Sequence, residues 1–331
     1  MNEATSLLFL GDVVPYKPFR FRNNLKTVIN LECPITRKGK PISGKVNISV
    51  AENHLKKIFG QNLLAVNLGN NHIMDYGLQG LFSTLKEIDE TGTDYFGINF
   101  PDNESHNPLV VDFRGRKIAF LSIISESTSP LVEFDDFNYL TISDQCEVLR
   151  KVNAAKKQAD RIVVYMHWGT ADSSYPNREN IIEARNLIDA GVDIVVGTHA
   201  HAPQAVEKYK KGLIAYNLGN FIMPAFRNTP SFFDEDGNAL SYYNKRLMLW
   251  NRISWGLEVD IETLRFSIKK FIFIADRIVE LRNTPMDKYL ELHPEAMNDN
   301  YIKIVRKHLK TRSLYRRVRD FMKFPQGVLR Y

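Results

Sequence analysis

The 331-residue sequence contains only two cysteines, Cys33 and Cys146, too few for a disulfide framework, and both are expected as free, buried thiols. It lacks any stretch approaching the roughly 18 uninterrupted apolar residues that a bilayer-spanning helix needs, which excludes an integral helical membrane protein. The first residues, MNEATSLLFLGDVV, have no basic leader and only a short apolar run before Gly11 and Asp12, so they do not read as a secretory signal. Internal repeats and low-complexity segments are missing too. These absences predict a cytoplasmic protein. Acid is scarce in one place: residues 301 to 331 hold ten Lys/Arg and one acid, Asp320, which leaves 34 basic against 37 acidic residues in the preceding 300. The formal +6 is therefore a property of the tail, and the slightly acidic main portion disfavours nucleic acid as a partner. What is present, 44% hydrophobic and 25% charged residues, is enough for a large core.

Short β-branched apolar runs end repeatedly in polar residues: SLLFLGD (6–12), TVINLE (27–32), LLAVNLGNNH (63–72), RIVVYMHWG (161–169), VDIVVGTHAH (192–201) and LIAYNLGNF (213–221). Each reads as a buried strand followed by a loop. Between them lie segments of helical period. One runs from Tyr76 to Glu90, with Leu78, Leu81, Phe82, Leu85 and Ile88 on one face, and others run from Asp144 to Ala159 and from Asn180 to Ala190. Gly92 and Gly191 follow two of these segments as helix stops. The alternation predicts an α/β fold with layered sheets flanked by helices and with active groups at the strand carboxyl ends. Leu109–Phe113 with Lys117–Ile124, and Leu257–Ile261 with Leu264–Ala275, add antiparallel hairpins, so the sheets should be mixed. From Pro224 to Trp255 the pattern fails, and an aromatic-rich loop or insertion over 224–255 is expected.

The strand ends carry the chemistry. Asp12, Glu32, Asn71, His167, His199 and His201 are all metal-ligand residue types, and each follows one of the apolar runs. Taken singly, each has a structural alternative: Asp12 as a turn cap, Asn71 bonding a loop backbone, His167 as a satisfied core histidine. His199 and His201 are two positions apart, and in an extended segment such residues point the same way. Six such residues at successive motif ends are not a chance pattern.

The motifs LGD (10–12), NLECPIT (30–36), NLGNNHIMDYG (67–77), VVYMHWG (163–169) and DIVVGTHAHAPQAVEKYKKGLIAYNLGNF (193–221) occur in the order found in the CapA family. That family comprises capsule and poly-gamma-glutamate synthesis proteins and is similar to calcineurin-type metallophosphatases. The resemblance covers about residues 6 to 223 and the strands that follow. It implies a calcineurin-like metallophosphatase fold over residues 1–280, and the charge and helical period of the remaining residues predict a helical basic extension over 281–331.

Carried over by position, the resemblance implies that Asp12 and His201 bind one metal, that Glu32 bridges two, and that Asn71, His167 and His199 bind the second. One or two divalent ions are implied, Mn, Zn or Fe, since neutral imidazole and carboxylate suit them. His72 matches a position beside the metals and would protonate a leaving oxygen or stabilise charge on a phosphoryl group, oriented by Asp75. Asp75 has an alternative role as the cap of the helix starting at Tyr76. Three positions depart from the related patterns: Val14 replaces the histidine of classical metallophosphatases, Ala171 replaces a common glutamate, and Asn217 replaces a serine. The first metal is thereby left poorer in ligands, and Asp172 stands one position away from the missing glutamate.

The expected activity is metal-dependent hydrolysis of a phosphoester or related bond in capsule or surface-polymer synthesis, on an anionic small-molecule or polymer substrate. The alternative is a non-hydrolytic metal-binding accessory protein for poly-gamma-glutamate or polysaccharide assembly. In the tail, Leu314, Val318, Phe321 and Met322 share a helical face, with Arg312, Arg316, Arg317, Arg319 and Lys323 largely around the other. That pattern suits peripheral docking on an anionic membrane surface or on an acidic partner. It suits somewhat better a helix packed on the domain with a solvated basic face, since amphipathic terminal helices are common in soluble domains.

Overall fold

Two-residue alternation along nearly all-apolar strands decides how the chain is layered. The computed structural model describes residues 5–100, 107–128, 144–234 and 236–322. The elements run β1 (Ser6–Val13), β2 (Lys26–Leu31), α1 (Leu55–Phe59), β3 (Leu63–Asn67), α2 (Gly77–Asp89), β4 (Asp94–Phe96), β5 (Leu109–Phe113) and β6 (Arg116–Ile124). Next come α3 (Gln145–Lys156), β7 (Arg161–His167), α4 (Arg178–Asp189), β8 (Ile194–Thr198), β9 (Val206–Tyr209), β10 (Gly212–Ala215) and β11 (Asn220–Ile222). The chain continues through β12 (Phe226–Phe233), β13 (Ala239–Lys245), α5 (Leu249–Arg252), β14 (Ile253–Asp260), β15 (Phe266–Ile274), β16 (Arg277–Leu281) and α6 (Tyr301–Met322).

One sheet has the order β16-β15-β14-β1-β2-β3-β4, with β11 also on β1, and a second has the order β5-β6-β7-β8-β10-β9. The strands β1 to β4 are parallel, as are β6, β7, β8 and β10, while the flanking strands are antiparallel, so both sheets are mixed. Leu7 and Phe9 of β1 join Val163, Tyr165, Ile194 and Val196 in a core between the two sheets. Leu8 and Leu10 point the other way, towards Ile58 of α1 and Leu81, Leu85 and Ile88 of α2. Likewise Val164, Met166 and Val195 turn outward against α3, α4 and Tyr301 of α6. The result is a helix, sheet, sheet, helix sandwich, in which each fully buried Leu or Phe contributes roughly 1.5–3 kcal/mol.

The run read as one strand over 213–221 divides between the sheets: β10 pairs with β8, and β11 pairs with β1. Gly219, at φ +76°, makes the bend, and its amide donates to Asn217 Oδ1 at 2.9 Å. Close approach fixes Gly11 opposite: a Cβ there would lie 2.0 Å from the Gly219 carbonyl oxygen. Residues 224–255 hold the β12–β13 ribbon and α5 rather than a plain loop. Period-2 reading failed there because β13 is exposed or half-buried along its whole length, so no core-facing alternation is imposed.

Three side-chain expectations need correction. Cys33 is buried, but Cys146 is exposed on α3. Phe82 is 53% exposed, off the buried stripe of α2 formed by Leu81, Leu85 and Ile88. On α6 the basic residues are not all on the outer face: Arg312 is buried at 8% exposure, whereas Leu314 is 61% exposed. The tail side chains named above beyond Arg317 lie outside the described residues. No described helix is long and apolar enough to cross a membrane.

Candidate metal centre

Strand register sets up the site. Asp12 stands opposite Asn30 of β2 on one side and Asn220 of β11 on the other, and Asn30 is opposite Asn67 of β3. The ends of β1, β2 and β3 and the start of β11 thus form one row of polar residues, all buried. Buried polar groups require partners, and this row supplies them internally. Asn67 Nδ2 donates to Asn30 Oδ1 at 2.9 Å, and Asn30 Nδ2 donates to Asp12 Oδ1 at 3.0 Å and to Glu32 Oε2 at 2.6 Å. Asn30 therefore holds both carboxylates in place.

Above this row lie two groups of ligand atoms, each gathered within 4.8 Å: Asp12, Glu32 and His201 in one, Glu32, His167 and His199 in the other. Glu32 belongs to both. Asn71 joins the second, with its Oδ1 2.8 Å from His167 Nε2, and His199 Nδ1 lies 3.2 Å from the same nitrogen. The six residues proposed as metal ligands from the sequence are therefore together. The reason advanced for His199 and His201 does not hold, however, because β8 ends at Thr198 and both histidines have positive φ, 86° and 55°. A left-handed turn, not strand alternation, sends one imidazole to each group. Such conformations cost of order 1–3 kcal/mol and persist only where surroundings enforce them.

Hydrogen bonds set the imidazoles as lone-pair donors. The Thr198 hydroxyl donates to the Met166 carbonyl at 3.2 Å, so at 2.9 Å it accepts from His167 Nδ1–H and leaves Nε2 unprotonated towards Asn71 and His199. Asn220 Nδ2 donates to the Asn251 carbonyl at 3.0 Å, which turns Asn220 Oδ1 towards His201 Nδ1 at 2.9 Å and leaves His201 Nε2 facing Glu32. Burial, reinforced by the neighbouring imidazoles, pushes His167 and His199 well below the ordinary histidine range. Burial and then the Asp12 charge push Glu32 well above the carboxylate range. Glu32 Oε1 is buried without a hydrogen-bond partner. A divalent cation resolves all three conditions, because it compensates the paired carboxylates, engages the orphaned oxygen and binds neutral imidazole. The donor set fits one.

His72 sits beside these groups with a different partner. Its Nδ1 is 2.7 Å from Asp75 Oδ2, and Asp75 also accepts from the Ile48 amide at 2.7 Å and pairs with Lys45 at 2.5 Å. Burial lowers the His72 pKa, with Asp75 opposing that shift in part. Asp75 does not cap α2, which begins at Gly77 after Tyr76 with no side-chain cap bond. Asp172 is not among the ligands either. At φ +66° it turns away, accepting from Asn251 Nδ2 at 2.7 Å and pairing with Arg316 of α6 at 2.8 Å. Asn251 Nδ2 also donates to the His201 carbonyl at 3.0 Å, so a chain of direct contacts runs from α6 to His201.

Several of these residues escaped the sequence reading. Asn30 and Asn220 had a signal, a polar amide inside an apolar run. Lys45, Asn251 and Arg316 had none, since nothing in their local sequence marks them as neighbours of the ligands.

The sequence matches the family described as bacterial capsule synthesis protein PGA_cap over residues 15–225, more than half of the chain. The chain belongs to this family. Its relatives include the capsule biosynthesis protein CapA of Bacillus anthracis, 29% identical over 201 residues (58% of this chain, 49% of that protein). The PGA biosynthesis protein CapA of Bacillus subtilis is 30% identical over 196 residues (58% and 52%). A probable polyglutamine synthesis accessory protein of Mycobacterium tuberculosis is 28% identical over 207 residues (59% and 54%). The chain spans about half the length of the curated relatives it matches. PGA_cap belongs to the metallophosphatase-like superfamily, in keeping with the mixed sheets and flanking helices.

Proposed function

We propose that the protein is a metal-dependent hydrolase of a phosphoester or related bond, acting in the synthesis of a capsule or similar surface polymer. The observation that carries this reading is the pair of ligand groups sharing Glu32, with the His72–Asp75 pair beside them and outside both groups. Asp12, Glu32 and His201 would hold one cation, and Glu32, Asn71, His167 and His199 a second. When bound, these ions supply Lewis acidity and a water of lowered pKa. The residues of the chain do the rest. Asp75, held by Lys45 and the Ile48 amide, engages His72 Nδ1, so Nε2 is the ring nitrogen left to exchange a proton with a leaving oxygen. Asn30 and Asn220 fix the carboxylates and His201 before substrate arrives.

A second reading, a metal-binding accessory protein without turnover, is favoured by Ala171, which offers no ligand, and by Asp172, which is committed to Arg316. The mycobacterial relative carries the name of an accessory protein. Elemental analysis of the purified protein, combined with hydrolysis of an aryl phosphate monoester and diester across added Mn and Zn, separates the two. Bound metal with turnover is expected. Bound metal without turnover of either ester would replace the hydrolase with the accessory reading.

A further inference from the structure

The candidate metal centre opens into a cleft of about 380 Å³ whose other wall is built from Lys45, Met223, Phe226, Tyr243 and Lys245. The two lysines are in unlike states. Lys45 is fixed, paired with Asp75 at 2.5 Å and donating from Nζ to the Asn71 carbonyl. Lys245 closes β13 at the base of the ribbon, opposite Phe226. Burial dominates its environment, and Asp172, Glu32 and Asp12 all act on it electrostatically. Yet among the described residues its ammonium makes no hydrogen bond or ion pair, and Asp172, the leading charge acting on it, is already paired with Arg316. Lys245 is half-buried, and a cleft-lining ammonium without a protein partner can take its counter-charge from a ligand.

We propose that Lys245 is an oxyanion-recognition residue that holds a phosphate or carboxylate oxygen of the substrate against the Asp12, Glu32 and His201 side of the cleft. The geometry behind this is a cation with no protein partner among the described residues, carried to the cleft on a ribbon and lining it together with Glu32, His199 and His201. Phe226 and Tyr243 flank it and supply a surface for the uncharged part of the ligand. An anion entering a metal-free cleft meets Glu32 in the lining, with Asp12 and Asp75 buried behind it, so anion binding by Lys245 requires a divalent ion as well. The inference deepens the hydrolase reading and rests on it only for where the reacting bond would lie.

The test is calorimetric titration of the Mn-loaded full chain with inorganic phosphate and, separately, with glutarate. Lys245→Met should weaken the preferred anion roughly tenfold or more while metal content stays at the wild-type level, and Lys245→Arg should restore most of the affinity. A larger effect on phosphate points to a phosphoester ligand, and a larger effect on glutarate points to a carboxylate polymer. Affinity of Lys245→Met within twofold of wild type, no binding of either anion to the wild type at millimolar concentration, or loss of metal from the variant would each overturn the proposal. Lys245-dependent phosphate binding in a protein that hydrolyses no ester would instead reject the hydrolase reading and leave the oxyanion site standing.

Discussion

The two walls of the cleft are built by opposite rules. On the ligand wall, every functional side chain except Asn71 lies in a strand or within three residues of a strand end, and their order follows the parallel strands β1, β2, β3, β7 and β8. On the cationic side, Lys245 lines the cleft from a ribbon, and Arg316, behind the lining, reaches the centre through Asp172 from a helix that follows every described strand. Parallel strands wound with helices bring their carboxyl ends to one edge whatever the loop sequences, so the ligand wall is a consequence of topology. The cationic wall depends on particular tertiary contacts. This difference predicts that the ligand wall fails all at once when a ligand is removed, whereas the cationic wall can be weakened in steps.

The largest effect expected tests the ligand wall against the proton-handling pair beside it. His199→Ala should lose bound metal and with it any turnover. His72→Ala should keep metal content nearly intact while lowering turnover by roughly 10²- to 10⁴-fold, the usual share of acid–base catalysis. Equal metal loss in both variants, measured by elemental analysis, would put His72 among the ligands and erase the distinction.

A smaller effect is expected on the cationic wall. Removing Arg316 leaves the Asp172 carboxylate without its ion-pair partner and loosens Asn251, which braces His201, so Arg316→Ala should weaken metal affinity by about 10- to 100-fold. Metal titration of Arg316→Ala and Arg316→Lys checks this, and unchanged affinity in both would show that α6 is not coupled to the centre. Arg312 acts on stability instead. It is buried, donates to Ser174 Oγ at 2.7 Å and to the Asp172 carbonyl, and lies 4.6 Å from the Trp250 ring centroid. Arg312→Ala should cost about 1–3 kcal/mol in denaturant melts, against less than about 0.5 kcal/mol for the exposed Arg317→Ala. Equal costs would mean that α6 is docked by its apolar residues alone.

The same contrast explains what the sequence made legible. β1 and β7 are buried on both faces and read as continuous apolar runs, and Asp12 and His167 stand out against them. Asn30 was equally visible in TVINLE but lies inside β2 rather than after its end, and its role appears only once β1 and β2 are in register. Strand periodicity carries no information about His199 and His201, whose directions are set by left-handed turns. In α6, helical periodicity separates Arg312 from Leu314 but does not tell which of the two is buried, and the structure buries the arginine. Arginines 312 and 316 are spaced to meet the Asp172–Ser174 loop, and a burial rule based on polarity assigns them outward.

The smallest expected effect belongs to one imidazole at the seam between α6 and that loop. His308 Nε2 accepts the Ser174 amide at 3.2 Å, and the ring packs against Tyr175 and Tyr289. Burial, then the charges of Arg312 and Lys288, bring its pKa down to about 4. An unfolded histidine titrates near 6.5, so between these values the unfolded chain binds a proton that the folded chain refuses. The contribution of His308 to stability is therefore complete above about pH 6.5 and declines as the pH falls towards about 4, below which the loss is no greater. Gln can accept the same amide without titrating, so His308→Gln should show a smaller fall in melting temperature between pH 7 and pH 5 than the wild type. Matching falls in the two proteins would mean that acid loosens the structure elsewhere, and that the seam holding α6 to the centre is not where pH acts.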